Sequence, residues 1–327
     1  MAEHKELFER RREYSKSRLT KLAETLKGQP QVTQLPGLAI YATGSYARNE
    51  ASMYSDVDLF FVQAGSADPG VSNLDRLVLF GRIIETVDEM GFPPFSNDGE
   101  FLKVLYLDDM RERLGGRLDD SENYFTARML LLLESRPLVN DREYEHMVSE
   151  IVETYYRDFP NHAEDFRPVF LINDILRFWK TLCLNYEHRR NKLTEDPIQR
   201  RKQQVRNFKL KFSRLMSCFG TVIAVCAIPA PITKEQVVAL TCLSPLERFL
   251  HATSEIGELG GVRQEILDDY AWFMAKTELP ADDLAAAFES HEEKVELFGR
   301  AAKFGERMYD ALALLASRNH YSRYLVI

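Results

Sequence analysis

Ala42-Thr-Gly-Ser-Tyr-Ala-Arg-Asn-Glu-Ala-Ser-Met-Tyr-Ser-Asp-Val-Asp-Leu-Phe-Phe61 carries two chemical signals within one short stretch. It is framed by apolar runs, 38–43 and 57–62, each with the length and composition of a buried strand. Gly44-Ser45 follows the first run directly and opens a turn of helix. Glycine lets backbone approach a phosphate closely, and a serine hydroxyl beside the free N–H groups of a helix start offers donors to anionic oxygens. Asp56 and Asp58 stand two apart where the second run begins, and the strand period of two puts both carboxylates on one face. Two like charges so close repel unless a cation lies between them. Mg²⁺ takes a few carboxylate oxygens together with substrate phosphates. Alone, each signal is an ordinary loop or cap. Joined across ten intervening residues, they predict a metal and phosphate site at the edge of a small sheet.

Upstream, Leu7, Phe8, Tyr14, Leu19, Leu22 and Leu26 recur at roughly helical spacing among Lys, Arg and Glu, until Gly28 and Pro30 stop the run. Downstream, 74–90 has helical period, Gly91-Phe-Pro-Pro breaks it, and 101–107 reads as a third strand. The first 110 residues therefore read helix, strand, turn, strand, helix, strand. Beyond Asp108 the patterns are long and helical, at 124–134, 142–156, 170–186, 205–227, 234–240, 246–258, 262–276, 281–288 and 294–316, and no further strand is expected. The predicted fold class is α+β. A small mixed sheet with helices occupies 1–125, and an α-helical bundle over 126–327 completes the nucleotide and acceptor cleft.

Composition bounds the function. A chain of 327 residues, 45% hydrophobic and 28% charged, is globular and long enough for two domains. Its net charge of -8 argues against a surface that coats nucleic acid. Cys183, Cys218, Cys226 and Cys242 form no CxxC pair and have no histidine at ligand spacing, so buried free thiols are expected. Residues 1–27 are charged throughout and are no secretory signal. The most apolar stretch, 215–228, falls short of the ~20 residues that cross a bilayer and is read as a buried helix. A cytoplasmic protein without a membrane partner is the expectation.

Strand, Gly-Ser, ten residues, then Asp-x-Asp leading into an apolar strand resembles the signature of the nucleotidyltransferases of the DNA-polymerase-β superfamily. Gly44-Ser-Tyr-Ala-Arg-x-Glu50 followed by Ser55-Asp-x-Asp-Leu59 looks most like the nucleotidyltransferase domain of bacterial PII-protein uridylyltransferases and their uncharacterised relatives. The likeness covers about 40–141 and is strong over 44–61. It implies a small mixed sheet followed by a helical domain. It also implies that Asp56 and Asp58 bind two Mg²⁺ (or Mn²⁺) ions, one gripping the triphosphate and one acidifying the acceptor hydroxyl. A third carboxylate on the next strand would complete the second metal site; Glu100 is the choice and Asp98 the alternative. Gly44 and Ser45 would hold the β- and γ-phosphates of an NTP, ATP or UTP. The large regulators continue into phosphohydrolase and amino-acid-sensing domains for which 327 residues leave no room, and no His-Asp dipeptide stands at hydrolase spacing. Removal of the nucleotide by the same chain is not expected.

Other residues are weighed beside these. Arg48 either faces phosphate or pairs with Glu50 or Asp56, and Tyr46 packs. Ten Lys or Arg against three acids lie between Glu187 and Arg214. Such a concentration suits a triphosphate or an RNA end, with Lys209, Lys211 and Ser213 as candidate contacts; the alternative is a solvated helix face. Asn173, Asp174, Arg177 and Lys180 share one face of a helix, expected to line the interdomain cleft, either with Asn173 at a nucleotide base or Arg177 at a phosphate, or with an internal Asp174–Arg177 pair. The functional expectation is Mg-dependent transfer of an NMP from an NTP to an acceptor hydroxyl, a protein side chain favoured, with release of pyrophosphate. An RNA 3′ end or a second nucleotide are the other acceptors. An inactive nucleotide- or partner-binding protein, or a basic RNA-binding adaptor, are the competing classes.

Overall fold

The computed structural model describes residues 2–67, 70–95, 99, 102–191 and 196–325. The chain divides into two compact units, Glu9–Asp158 and Met1–Phe8 with Phe159–Ile327.

In the first unit, strands β1 (Leu38–Thr43), β2 (Asp58–Gln63), β3 (Val104–Tyr106) and β4 (Ser135–Val139) form one mixed sheet in the order β3-β2-β1-β4. β1 runs antiparallel to β2 and β4, and β2 parallel to β3. A parallel pair needs a crossover, supplied by the helix Asn73–Glu89. The major helices here are α1 (Ala2–Lys27), which belongs to this unit from Glu9 on, α2 (Asn73–Glu89), α3 (Tyr124–Leu133) and α4 (Asp141–Glu153). Leu22 and Leu26 of α1, Ile40 of β1, Phe61 of β2 and Leu79 and Ile83 of α2 share one buried core.

The expected small mixed sheet followed by helices is what the structure shows, with three differences. β4 was not expected: Ser-Arg-Pro-Leu-Val is short, does not alternate, and contains Pro137. Proline lacks a ladder donor and is confined to edge strands, and β4 is an edge, with its register to β1 shifting between Ile40 and Tyr41. Because β4 pairs with β1, the segment after residue 125 stays with the sheet, and the division falls at Asp158 rather than at 125. Third, β3 is shorter than 101–107, because Leu107 already opens the helix Leu107–Glu112, whose first turn carries Asp108 and Asp109. Acids there favour the positive end of the helix dipole.

The second unit is helical. Its major helices are α5 (Val169–Asn191), α6 (Pro197–Ala227), α7 (Pro245–Thr253), α8 (Gly260–Lys276) and α9 (His291–Arg318). By length and composition α6 is long and apolar enough to cross a membrane, but 72% of its most apolar window is buried inside the protein, in line with the reading of 215–228 as a core helix. One π-helical turn, Leu210–Arg214, interrupts it. α7 approaches α6 at Gly220, where a side chain would meet Pro245 O at 3.2 Å. All four cysteines are free. Cys218 and Cys226 are buried, and burial pushes both thiols up to about 12; Cys183 is half-buried and Cys242 exposed, so burial holds for two of the four.

Candidate active site

The pairing registers set Thr43 opposite both Asp58 and Ser135. Gly44, the 56–57 approach to β2, and Glu134 therefore gather at one end of the sheet. Gly44 starts the short helix Gly44–Ala47 with φ of 70°, in the left-handed region. A Cβ on Gly44 would lie 2.7 Å from Asp58 Oδ2. The bare backbone of the turn thus rests against the carboxylate, a closeness that only glycine permits. Gly44→Ala is expected to cost about 1–2 kcal/mol for the left-handed backbone and to push the Asp58 carboxylate aside. Thermal unfolding should show the first effect, and a fall in NMP transfer of roughly a hundredfold the second.

Asp56 lies just ahead of β2 rather than within it, but the alternation persists. Asp56 and Asp58 are partly exposed, while Val57 and Leu59 are buried, so the two carboxylates share the open side. Within 44–50 only Ser45 escapes burial. The first turn of a helix leaves its N–H groups without intrahelical acceptors, so Ser45 adds its hydroxyl to those donors near Asp58 at the start of β2 and Asp56 just ahead of it.

The turn is held from behind. Arg48 Nε donates to Glu50 Oε2 at 2.7 Å and Arg48 Nη1 to Glu134 Oε2 at 2.9 Å. All three side chains are buried, at 7%, 6% and 2% exposure. Of the two roles open to Arg48, phosphate contact or pairing, the structure displays pairing, with Glu50 and with the unforeseen Glu134. Glu50 N donates to Ser45 O at 2.8 Å, and Asn49 takes φ of 63°, which closes the turn. Tyr46 packs, as expected, with its ring 5.5 Å from Phe92 and 6.4 Å from Tyr14, and burial raises its phenol well above the ordinary range. Ser15 of α1 accepts from Ala51 N at 3.0 Å, so the N-terminal helix braces the loop.

Between turn and carboxylates, Ser52 and Ser55 clasp each other. Ser52 N donates to Ser55 Oγ at 3.0 Å, and Ser55 N to Ser52 O at 3.0 Å. The clasp presents Met53 and Tyr54 to solvent, 66% and 46% exposed, three and two positions before Asp56. Sequence reasoning passed over Glu134, Ser15 and this apolar tip. The paired serines around Met53-Tyr54 are a signal of a side-chain-stabilised turn that was available; an isolated acid 86 positions from Arg48 carries none.

Glu100 and Asp98, the choices for a third carboxylate, lie outside the described residues. Among the described residues no three His, Cys, Asp or Glu side chains gather into a metal-holding group. Two hard carboxylates beside bare backbone suit a divalent cation shared with phosphate oxygens better than a closed protein cage.

In the helical unit, Lys209 is exposed, Lys211 half-buried and Ser213 buried at 6%, so the three do not form one surface, and Ser213 stands in the interior of the π turn. Arg206, exposed at its surface, is held below the usual guanidinium range by desolvation and then by the neighbouring Arg189 of α5. Asp174 and Arg177 stand 3.6 Å apart, the internal pair of the two expected alternatives.

Residues 20–91 match the family model described as Nucleotidyltransferase domain. The matched segment includes β1, the Gly44–Ser45 turn, Asp56, Asp58, β2 and α2. This part of the chain is therefore similar to domains that move a nucleotidyl group. No curated protein matches the chain.

Proposed function

We propose that the protein transfers an NMP from an NTP to an acceptor hydroxyl, a protein side chain in preference to an RNA 3′ end, with release of pyrophosphate. The observation that carries this reading is the seating of Gly44 against Asp58, with Ser45 and Asp56 on the same open end of the sheet. The nucleotidyltransferase match over the same residues supports it. In the reaction the acceptor oxygen bonds to the α-phosphorus as the bond from that phosphorus to the bridging oxygen breaks. Pyrophosphate leaves with the electron pair, and the hydroxyl proton is lost to solvent. Mg²⁺ or Mn²⁺, when bound, neutralises triphosphate charge and acidifies the acceptor hydroxyl. Asp56 and Asp58 are the residues that would hold it, with Glu100 the candidate for a third ligand. Gly44 and Ser45 orient the phosphates through backbone N–H and hydroxyl, and Arg48, Glu50 and Glu134 keep that turn in place without touching substrate.

The deciding experiment incubates the protein with each α-labelled NTP, Mg²⁺ or Mn²⁺, and a cell lysate. Wild type should label a protease-sensitive, RNase-resistant product, and Asp56→Ala/Asp58→Ala should not. Label that survives the double substitution overturns the site. An RNase-sensitive product moves the acceptor to RNA.

A further inference from the structure

Helix α2 buries Leu79, Ile83 and Val87 in the core of the sheet unit. Its opposite face leaves Leu74, Leu77, Val78 and Ile84 in solvent, at 74%, 62%, 54% and 47% exposure. Positions 74, 77, 78 and 81 follow helical spacing, so they form one stripe rather than scattered exceptions. Gly81 completes it, and no atom stands within 4 Å of where its Cβ would be. The helix backbone is bare there. Amphipathic helices ordinarily turn polar residues outward, so this face calls for a partner.

The flanking charges choose the partner. Asp75 and Arg82 are seven positions, about two turns, apart and lie on the same flank of the stripe. We infer that α2 pairs with α2 of a second copy of this chain, antiparallel, about a twofold axis level with Leu79. A twofold contact uses the same patch on both copies and keeps each flank facing itself. In that register Leu74 of one copy stands opposite Ile84 of the other, and Leu77 lies over the bare backbone of Gly81. Asp75 comes within a residue of Arg82 of the other copy, and the pairing is reciprocal. Arg82 already contacts Glu85 on its own helix, and Asp75 accepts from Ser72 Oγ at 2.6 Å at the helix start. Both therefore remain satisfied in the monomer, as a reversible association requires. Glu85 and Asp88 continue the stripe at helical spacing and fall level with Asn73 and Gly70 of the other copy, so neither is level with another acid.

Sedimentation equilibrium of the full chain over a concentration series tests this. Wild type should show a monomer–dimer equilibrium, and Leu77→Glu should weaken it more than tenfold. Circular dichroism melting at a concentration where wild type is monomeric should be nearly unchanged for that variant, because Leu77 is 62% exposed and is not among the buried core residues. Asp75→Arg alone and Arg82→Asp alone should each weaken the dimer severalfold, and the two together should restore it. Wild-type protein that stays monomeric throughout overturns the inference, as does a dimer indifferent to Leu77→Glu. A double swap no better than the worse single variant overturns the reciprocal pairing. None of these positions belongs to the nucleotidyl-transfer site, so the result is independent of that reading.

Discussion

Replacing Asp58 by Asn should lower NMP transfer about a thousandfold, equivalent to ~4 kcal/mol of lost transition-state stabilisation, while leaving the fold intact. The side chain keeps its size, so the contact with the backbone of Gly44 is preserved. Asp58 also stays in register with Thr43 through backbone pairing that the substitution does not alter. What disappears is half of the charge that would hold a divalent cation between positions 56 and 58. The backbone pairing and side-chain size are unaltered, so the variant should melt close to the wild-type temperature. Activity then falls without a matching loss of stability, which a merely structural role for Asp58 would not produce. Label-transfer rates and a thermal melt on the same preparation check this. Transfer retained within about tenfold would remove Asp58 from the reacting centre.

The second large effect concerns stability. Arg48→Met should cost about 3–5 kcal/mol, because it strands two buried carboxylates whose shared cation is gone. Glu50 and Glu134 are 6% and 2% exposed, and their bonds to Arg48 are 2.7 and 2.9 Å. Methionine fills much of the arginine volume, so lost packing contributes little. Urea unfolding of Arg48→Met and of Arg48→Met/Glu50→Gln/Glu134→Gln separates charge from packing. Removing all the charges together is often close to neutral, and the triple variant should recover most of the loss. A triple variant as unstable as the single one would place the cost in packing. The same network joins the phosphate-side turn to the start of β4, so Arg48→Met should depress transfer even where the protein remains folded.

The parts of the fold that rest on local chemistry were legible in the residues. β1 coincides with the apolar run 38–43, and α3 follows the expected helix at 124–134. Both are set by periodicity within a dozen residues. β4 was not legible, since Arg136-Pro137 interrupts any strand pattern and its assignment depends on an edge position that exists only once β1 is in place. The partial burial that separates Lys209, Lys211 and Ser213 was hidden for a related reason. A π turn changes which side of a helix each residue occupies, and nothing in Leu-Lys-Phe-Ser-Arg announces one.

By itself the sequence determined the chemistry: a glycine and a serine after one strand, two aspartates before the next, and the mixed sheet that this order requires. Those features are local, governed by strand period, helix starts and the freedom of a single glycine. Only the tertiary structure decided how the site is held. It sets Gly44 against Asp58, commits Arg48 to two carboxylates, one of them 86 positions away, and braces the loop from α1 through Ser15. Burial is a property of the packed chain, and a charge that loses water must find its partner wherever folding brings one, at whatever distance along the sequence.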